Sequence, residues 1–258
     1  MALRERTARP ATPSLGGPAV ALDLVSKRFG EVHALDGVTL DIEPGSFTCL
    51  LGASGCGKST LLNLIAGLER PTAGSIAVEG ETALMFQEAA LLPWLTASRN
   101  VELPMRLRKV ERPERRRRAA ELLERMQLGG FAAKRPHELS GGMRQRVALA
   151  RALAQESDVL LMDEPFGALD AMTRDILHDE LERIWREQRL TVIFVTHNVR
   201  EAVRLGDRVI LLSSRPGRVL EDYRITHPRP RRIDSPEVSA QAGEITDRLR
   251  AEVARHGN

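Results

Sequence analysis

"GASGCGKST", Gly52 to Thr60, decides how the rest of the chain is read. It fits the spacing G-x-x-x-x-G-K-[ST], with Gly52, Gly57, Lys58 and Ser59 at the fixed positions. The apolar run "SFTCLLG" before it reads as a strand. "STLLNLIAG" after it reads as a helix stopped by Gly67. Glycines let successive backbone N–H groups turn inward, and the helix start adds partial positive charge. Residues Gly52, Ala53, Ser54, Gly55, Cys56, Gly57, Lys58, Ser59 and Thr60 are therefore expected to cradle the phosphates of a nucleotide. Lys58 should reach the β- and γ-phosphates, and the Ser59 hydroxyl should ligate Mg²⁺.

A second motif supports the first. In "VLLMDEP" four apolar residues lead to Asp163, the expected carboxyl end of a buried strand beside the phosphate loop. A carboxylate there can hold Mg²⁺, and Glu164 beside it can polarise an attacking water. Two lone acids would read as strand-end caps; downstream of a phosphate loop they read as chemistry. Gln87 ends "ALMFQ" and His197 ends "VIFVTH", both at strand ends. Gln87 can touch Mg²⁺ and the water, and His197 can donate to the γ-phosphate.

Further out, strand and helix patterns alternate. "DVLLM", "TVIFVT" and "DRVILL" are apolar runs separated by helical spacing, which implies a parallel sheet covered on both faces. Val20, Leu22 and Leu24 alternate as in a strand, and "VTLDI" (Val38–Ile42) is another. "GSIAVEG" and "TALMF" look like a strand pair with a tight connection at Glu79-Gly80-Glu81. From about Gln87 to Gln155 strand signals fade, and Ala119, Leu122, Leu123 and Met126 form one helical stripe. Met143, Val147, Ala150 and Ala154 form another, so this block reads as an insertion into an α/β core. After Pro228 the chain is rich in Pro and Arg, then ends in an amphipathic helix carrying Val238, Ile245, Leu249 and Val253.

Composition narrows the function. With 258 residues, 42% of them apolar and 28% charged, the chain can bury a sizeable core and is not a disordered protein. A net charge of +3 with two Trp, one Tyr and six Phe gives neither a nucleic-acid footprint nor a base-stacking platform. Cys49 and Cys56 form no CxxC pair and no zinc pattern, which suits a reducing cytoplasm. No run approaches the ~18 consecutive apolar residues of a membrane span. The first 18 residues lack a signal peptide's apolar stretch and read as a flexible tail. "RLRKVERPERRRR" (Arg106–Arg118) holds eight basic and two acidic residues and reads as a solvated helix face, with anionic lipid contact as the sharper alternative.

"LSGGMRQR", Leu139 to Arg146, carries a hydroxyl, two glycines, an amide and two guanidiniums, but no base, nucleophile or metal ligand pair. With it the series is complete: GASGCGKST, Gln87, LSGGMRQR, LLMDEP, ALD (Ala168–Asp170) and His197. From about Val20 to Leu212 the chain resembles the ATP-binding subunit of ABC transporters. The resemblance implies a P-loop NTPase core with a mostly parallel sheet, an antiparallel β subdomain and an inserted α-helical subdomain at about 88–155. The cassette would span 19–227, followed by a tail at 228–258. It also implies that two cassettes pack head to tail, the signature turn of one chain closing the nucleotide site of the other. Ser140, Gly141, Gly142 and Gln145 would then serve the partner's ATP, from the start of a helix at 141–155, and Asp170 would lie at the seam. The family's adenine-stacking aromatic falls on Phe29 in "KRFGEV". Asn198 stands where Asp is commoner, and the segment at Gly80 looks shorter than in relatives, so a tight turn is expected there.

"FQEAALLPWLTASRNVELP" and "SRPGRV" (Ser214–Val219) carry a finer resemblance to importers of the nitrate, sulfonate and taurine group. It implies a homodimer of ATPase subunits at the cytoplasmic face of the inner membrane. The partners would be two copies of a transmembrane permease and an extracytoplasmic solute-binding protein, with no nucleic acid. Leu92, Pro93 and Trp94 would border the groove that receives a permease helix, although Trp94 is equally readable as ordinary core. The cofactors would be ATP and Mg²⁺. Other readings are an importer of another small solute such as a thiamine precursor, a soluble ABC ATPase acting on nucleic acid, and a phosphoryl-transfer kinase. The signature disfavours the kinase, and one cassette without room for a coiled coil disfavours the nucleic-acid relatives.

Overall fold

The computed structural model describes residues 17–256 except residue 168, so the tail expected over 1–18 lies almost entirely outside the described residues. The chain opens with β1 (Val20–Phe29), β2 (Val32–Ile42) and β3 (Phe47–Leu51), then α1 (Lys58–Ile65), β4 (Ala73–Val78) and β5 (Thr82–Met85). Three helices follow: α2 (Ala97–Leu107), α3 (Arg112–Arg125) and α4 (Gly141–Leu153). The chain returns through β6 (Val159–Asp163), α5 (Ala171–Gln188), β7 (Thr191–Val195), α6 (Val199–Leu205), β8 (Arg208–Leu212), β9 (Val219–Arg224) and α7 (Pro236–His256).

The strands form two sheets. One is antiparallel, in the order β2-β1-β4; the other runs β5-β6-β7-β3-β8-β9 and is parallel except for β9. In the larger sheet every residue of β3 and β7 is buried, as a strand covered on both faces requires. Alternation still sorts the side chains. Phe47, Cys49, Leu51, Leu160, Met162, Phe194, Val209 and Leu211 face a core shared with α2–α6. Leu50, Val159, Leu161, Ile193, Val195, Ile210 and Leu212 face α1 and the small sheet. The parallel sheet thus divides the core, and α1 lies between the two sheets.

Several expectations need correction. The segments "GSIAVEG" and "TALMF" do not pair: β4 joins β1, whereas β5 becomes the parallel edge beside β6. Only that edge buries Ala83 and Met85 among the helices. The connection is nevertheless tight, with Gly80 at φ +84 and Asp158 accepting from the Glu81 N–H at 3.0 Å. In β1 the alternation breaks. A register shift between Leu22 and Val25 puts Leu24 at φ +47 and 63% exposed, so Val25 takes the inward place. In α7, Val238, Ala242 and Ile245 enter the core and Leu249 packs against it, but Val253 is exposed. Trp94 is 66% exposed, which removes the core reading of that residue.

Four of the eight basic residues in the run at α2–α3 pair with acids among the described residues. Arg108 pairs with Glu81, Arg115 with Glu102, Arg117 with Glu114 and Glu121, and Arg118 with Glu114 and Glu156. Arg117 is the first cause that holds the Glu114 carboxyl down to about 2. No helix among the described residues is long and apolar enough to cross a membrane.

Candidate nucleotide site

The phosphate loop follows β3 directly. Gly57 caps α1 at φ +102, and a Cβ there would come within 2.8 Å of the Ala34 carbonyl and 2.7 Å of Leu35, so backbone angle and space both demand glycine. Lys58 folds back beneath the loop. Its Nζ donates to the Gly52 carbonyl at 2.8 Å and the Ala53 carbonyl at 2.9 Å, and the residue is buried. A buried ammonium held only by neutral acceptors is a strong site for a polyanion.

Asp163 ends β6 half-buried, with the Ser59 hydroxyl near enough to its carboxylate to favour the charged form. Burial, the largest influence, raises its pKa; the Ser59 hydroxyl opposes this, Glu164 adds to it and Lys58 opposes it. Two hard oxygens side by side suit Mg²⁺, which is held by one or two carboxylates, phosphates and water. Among the described residues no three His, Cys, Asp or Glu side chains gather as a metal cage, and Mg²⁺ bound with a nucleotide needs none.

Glu164 stands in the left-handed region at φ +44, a costly conformation for a residue with a Cβ. Its N–H donates to the Val195 carbonyl at 3.0 Å, tying the end of β6 to the end of β7. That places its Oε2 3.1 Å from Nδ1 of His197, which is itself exposed. Lys58, Ser59, Asp163, Glu164 and His197 therefore lie together.

The remaining residues lie around this centre or apart from it. Phe29 closes β1 and is 47% exposed, with Lys27 Nζ 4.7 Å from its ring centroid. Gln87 lies two residues past β5 with its side chain in solvent, and its backbone carbonyl accepts from the buried Gln145 side chain. Ser140 is the N-cap of α4, accepting from the Met143 N–H at 3.2 Å. Gly141 and Gly142 open that helix, where N–H groups have no intrahelical partner. Asp170 caps α5, accepting from the Thr173 N–H at 2.9 Å, and that bond is the first cause lowering its pKa. No hydrogen bond or ion pair among the described residues joins Leu139–Arg146 to the phosphate loop.

Some supporting residues escape the sequence reading. Asn100 is fully buried; its Oδ1 accepts from Leu92 N–H, and its Nδ2 donates to the carbonyls of Leu92, Leu95 and Thr96. It fixes the loop that presents Trp94. Glu201 binds both the Thr196 hydroxyl and His178 Nε2, the latter at 2.6 Å, directly behind His197. Its spacing after Asn198 carries a capping signal, and Asn198 does cap α6, accepting from the Glu201 N–H. The inward use of the Glu201 carboxylate has no such signal.

A family model described as ABC transporter matches residues 35–167. The aliphatic sulfonates import ATP-binding protein SsuB 1 of Mesorhizobium japonicum is 46% identical over 93% of this chain and 92% of its own length. Its counterpart in Rhodococcus jostii is 48% identical over 89% of this chain and 94% of its own. A solved dimer of the ATP-binding cassette MJ0796, in a post-hydrolysis state bound to ADP and Pi, superposes with a TM-score of 0.74 at 36% identity. That match covers 81% of this chain and 100% of the other.

Proposed function

The chain belongs to the ABC transporter family and is an ABC-type ATPase; on that premise we propose that it powers an importer of small sulfonate-type anions. Two copies close head to tail on ATP, and hydrolysis to ADP and phosphate reopens them. The observation that carries this reading is the pairing of an assembled half-site, Lys58, Asp163, Glu164 and His197, with a signature helix that, among the described residues, bonds to none of these four.

The residue roles follow from chemistry. Lys58 and the loop N–H groups neutralise the phosphates, and Phe29 stacks on adenine. Ser59, Asp163 and Gln87 would hold Mg²⁺, which would supply positive charge against the phosphate oxygens. Glu164 accepts a proton from the attacking water while its strained backbone and the His197 contact fix its carboxylate. His197 donates to the γ-phosphate. Ser140, Gly141, Gly142 and Gln145 close the partner's nucleotide from the positive end of α4, with Asp170 at the seam. Residues 19–227 are the cassette, with about 88–155 as its helical subdomain, and 228–258 form the C-terminal tail.

Two permease copies at the cytoplasmic face of the inner membrane are the proposed partners, together with an extracytoplasmic solute-binding protein. Exposed Trp94 beside Leu92 and Pro93, on a loop held by Asn100, supports a groove for a permease helix. The cargo class rests on relatives whose names specify aliphatic sulfonates. ATPase activity of the reconstituted complex tests it: stimulation by binding protein loaded with an alkanesulfonate is expected. Stimulation by nitrate or a thiamine precursor alone would reassign the cargo.

A further inference from the structure

"SRPGRV" (Ser214–Val219) has no part in the roles above, yet three regions of the molecule meet on it. Arg215 Nε donates to the Gly55 carbonyl of the phosphate loop at 3.1 Å. Gly217 lies against the same loop so closely that a Cβ would come to 2.1 Å from the Cys56 carbonyl. On a second side the segment is fastened to β2: Gly217 N–H donates to Ala34 at 2.9 Å, and Asp36 N–H donates back to Gly217 at 3.0 Å. On a third side the Ser214 N–H donates to Oε1 of Glu252 at 3.0 Å, a buried carboxylate near the end of α7.

We propose that Arg215 and Glu252 are positioning residues for the phosphate loop, so that the C-terminal helix sets ATP affinity from outside the site. The proposal rests on the reading that this loop binds ATP. A glycine-rich loop gives up much conformational freedom when it orders around phosphate. Gly55, at φ +75, is one of its most pliable points. The Gly55 carbonyl and the Cys56 N–H lie on opposite sides of one planar peptide, and that N–H donates to the Ala53 carbonyl at 3.3 Å, so fixing the carbonyl fixes this turn of the loop. The strap therefore holds the loop in one form before nucleotide arrives. Without it, only a fraction of molecules would present the binding form, and apparent affinity would fall by that fraction. The groups that act on the water, Glu164 and His197, lie on other strands and would be untouched.

The test is steady-state ATPase and Mg²⁺-ATP binding by the full chain, with thermal unfolding as the check on folding. Arg215→Ala is expected to raise KM for ATP by about three- to tenfold, the worth of one ordinary hydrogen bond, with kcat and Tm near wild type. Arg215→Gln keeps an N–H donor at the Nε position and loses the charge, so it should restore wild-type KM. Glu252→Ala should raise KM as Arg215→Ala does, and the double variant should be no worse than the poorer single, because both act through one strap. Arg215 is exposed, so its variants carry the test even if Glu252→Ala fails to fold. Unchanged KM in Arg215→Ala would overturn the proposal. So would a parallel loss of kcat and Tm, or an Arg215→Gln as poor as the alanine, which would assign the effect to charge. Lys58→Ala separates this from the underlying reading: if wild type and Lys58→Ala bind ATP equally, the nucleotide site itself is wrong.

Discussion

Lys58 and Glu164 divide binding from chemistry. The buried Lys58 ammonium is held by two carbonyls that a phosphate can replace. Lys58→Ala should therefore lose ATP binding, measured by nucleotide titration. Glu164 touches His197 and no group of the phosphate loop that would hold ATP, so Glu164→Gln should retain affinity and lose turnover. Wild-type turnover in that variant would remove Glu164 from its role. Phe29 is tested by shape: Phe29→Tyr should bind ATP normally, and Phe29→Ala should weaken binding by about 1–3 kcal/mol, by analogy with base–aromatic stacking. Unchanged affinity would leave Phe29 as an exposed ring beneath Lys27. Lys58 and Glu164 could be named from the sequence because a fixed glycine spacing and a strand end place them without knowledge of packing, whereas Phe29 was named from the family resemblance alone. Asn100, Glu201 and Arg215 could not be named in this way. Each is a polar residue whose importance comes from an inward or long-range bond, and sequence spacing alone assigns such residues to caps or solvent.

Among the elements, the helices inserted between β5 and β6 are the proposed contact to the membrane subunits. Trp94→Ala should spare the ATPase of the isolated subunit and lower transport by the full complex, read by uptake into vesicles; equal loss of both would mean that Trp94 only supports the fold. Asn100→Ala should behave differently. It strands buried donors and acceptors of the 92–96 loop and should cost about 1–3 kcal/mol of stability in thermal unfolding. An unchanged Tm would mean that the loop holds itself. The apolar runs of β3, β6, β7 and β8 were readable because a strand buried on both faces leaves no polar alternation. The fate of β4 and β5 was not, since a tight turn at Gly80 is equally compatible with a hairpin and with a change of sheet. Leu24 misled for a similar reason: a bulge shifts the inward face by one residue without changing composition.

At the scale of the whole molecule, the central claim is that the signature of one chain completes the site of another. The head-to-tail arrangement came from resemblance, not from periodicity, because a monomer sequence does not record which chain a surface turn serves. The geometry fits it: α4 opens with two glycines whose amides have no intrahelical partner, and none of its bonds reaches the phosphate loop. The most direct test uses mixed chains in a Glu164→Gln background, scored by ATP-dependent dimer formation on a sizing column. One mixture pairs a Lys58→Ala chain with a Gly141→Asp chain; the aspartate sets a carboxylate against the γ-phosphate in a poorly solvated site. The other pairs a chain carrying both changes with one carrying neither. The two chains of each mixture carry different affinity tags and only dimers holding both tags are scored: if the signature acts in trans, the heterodimer of the split pair keeps one intact site and forms, whereas in the second heterodimer every site has one damaged half and formation fails. Better dimerisation by the doubly damaged chain and its undamaged partner would contradict the account.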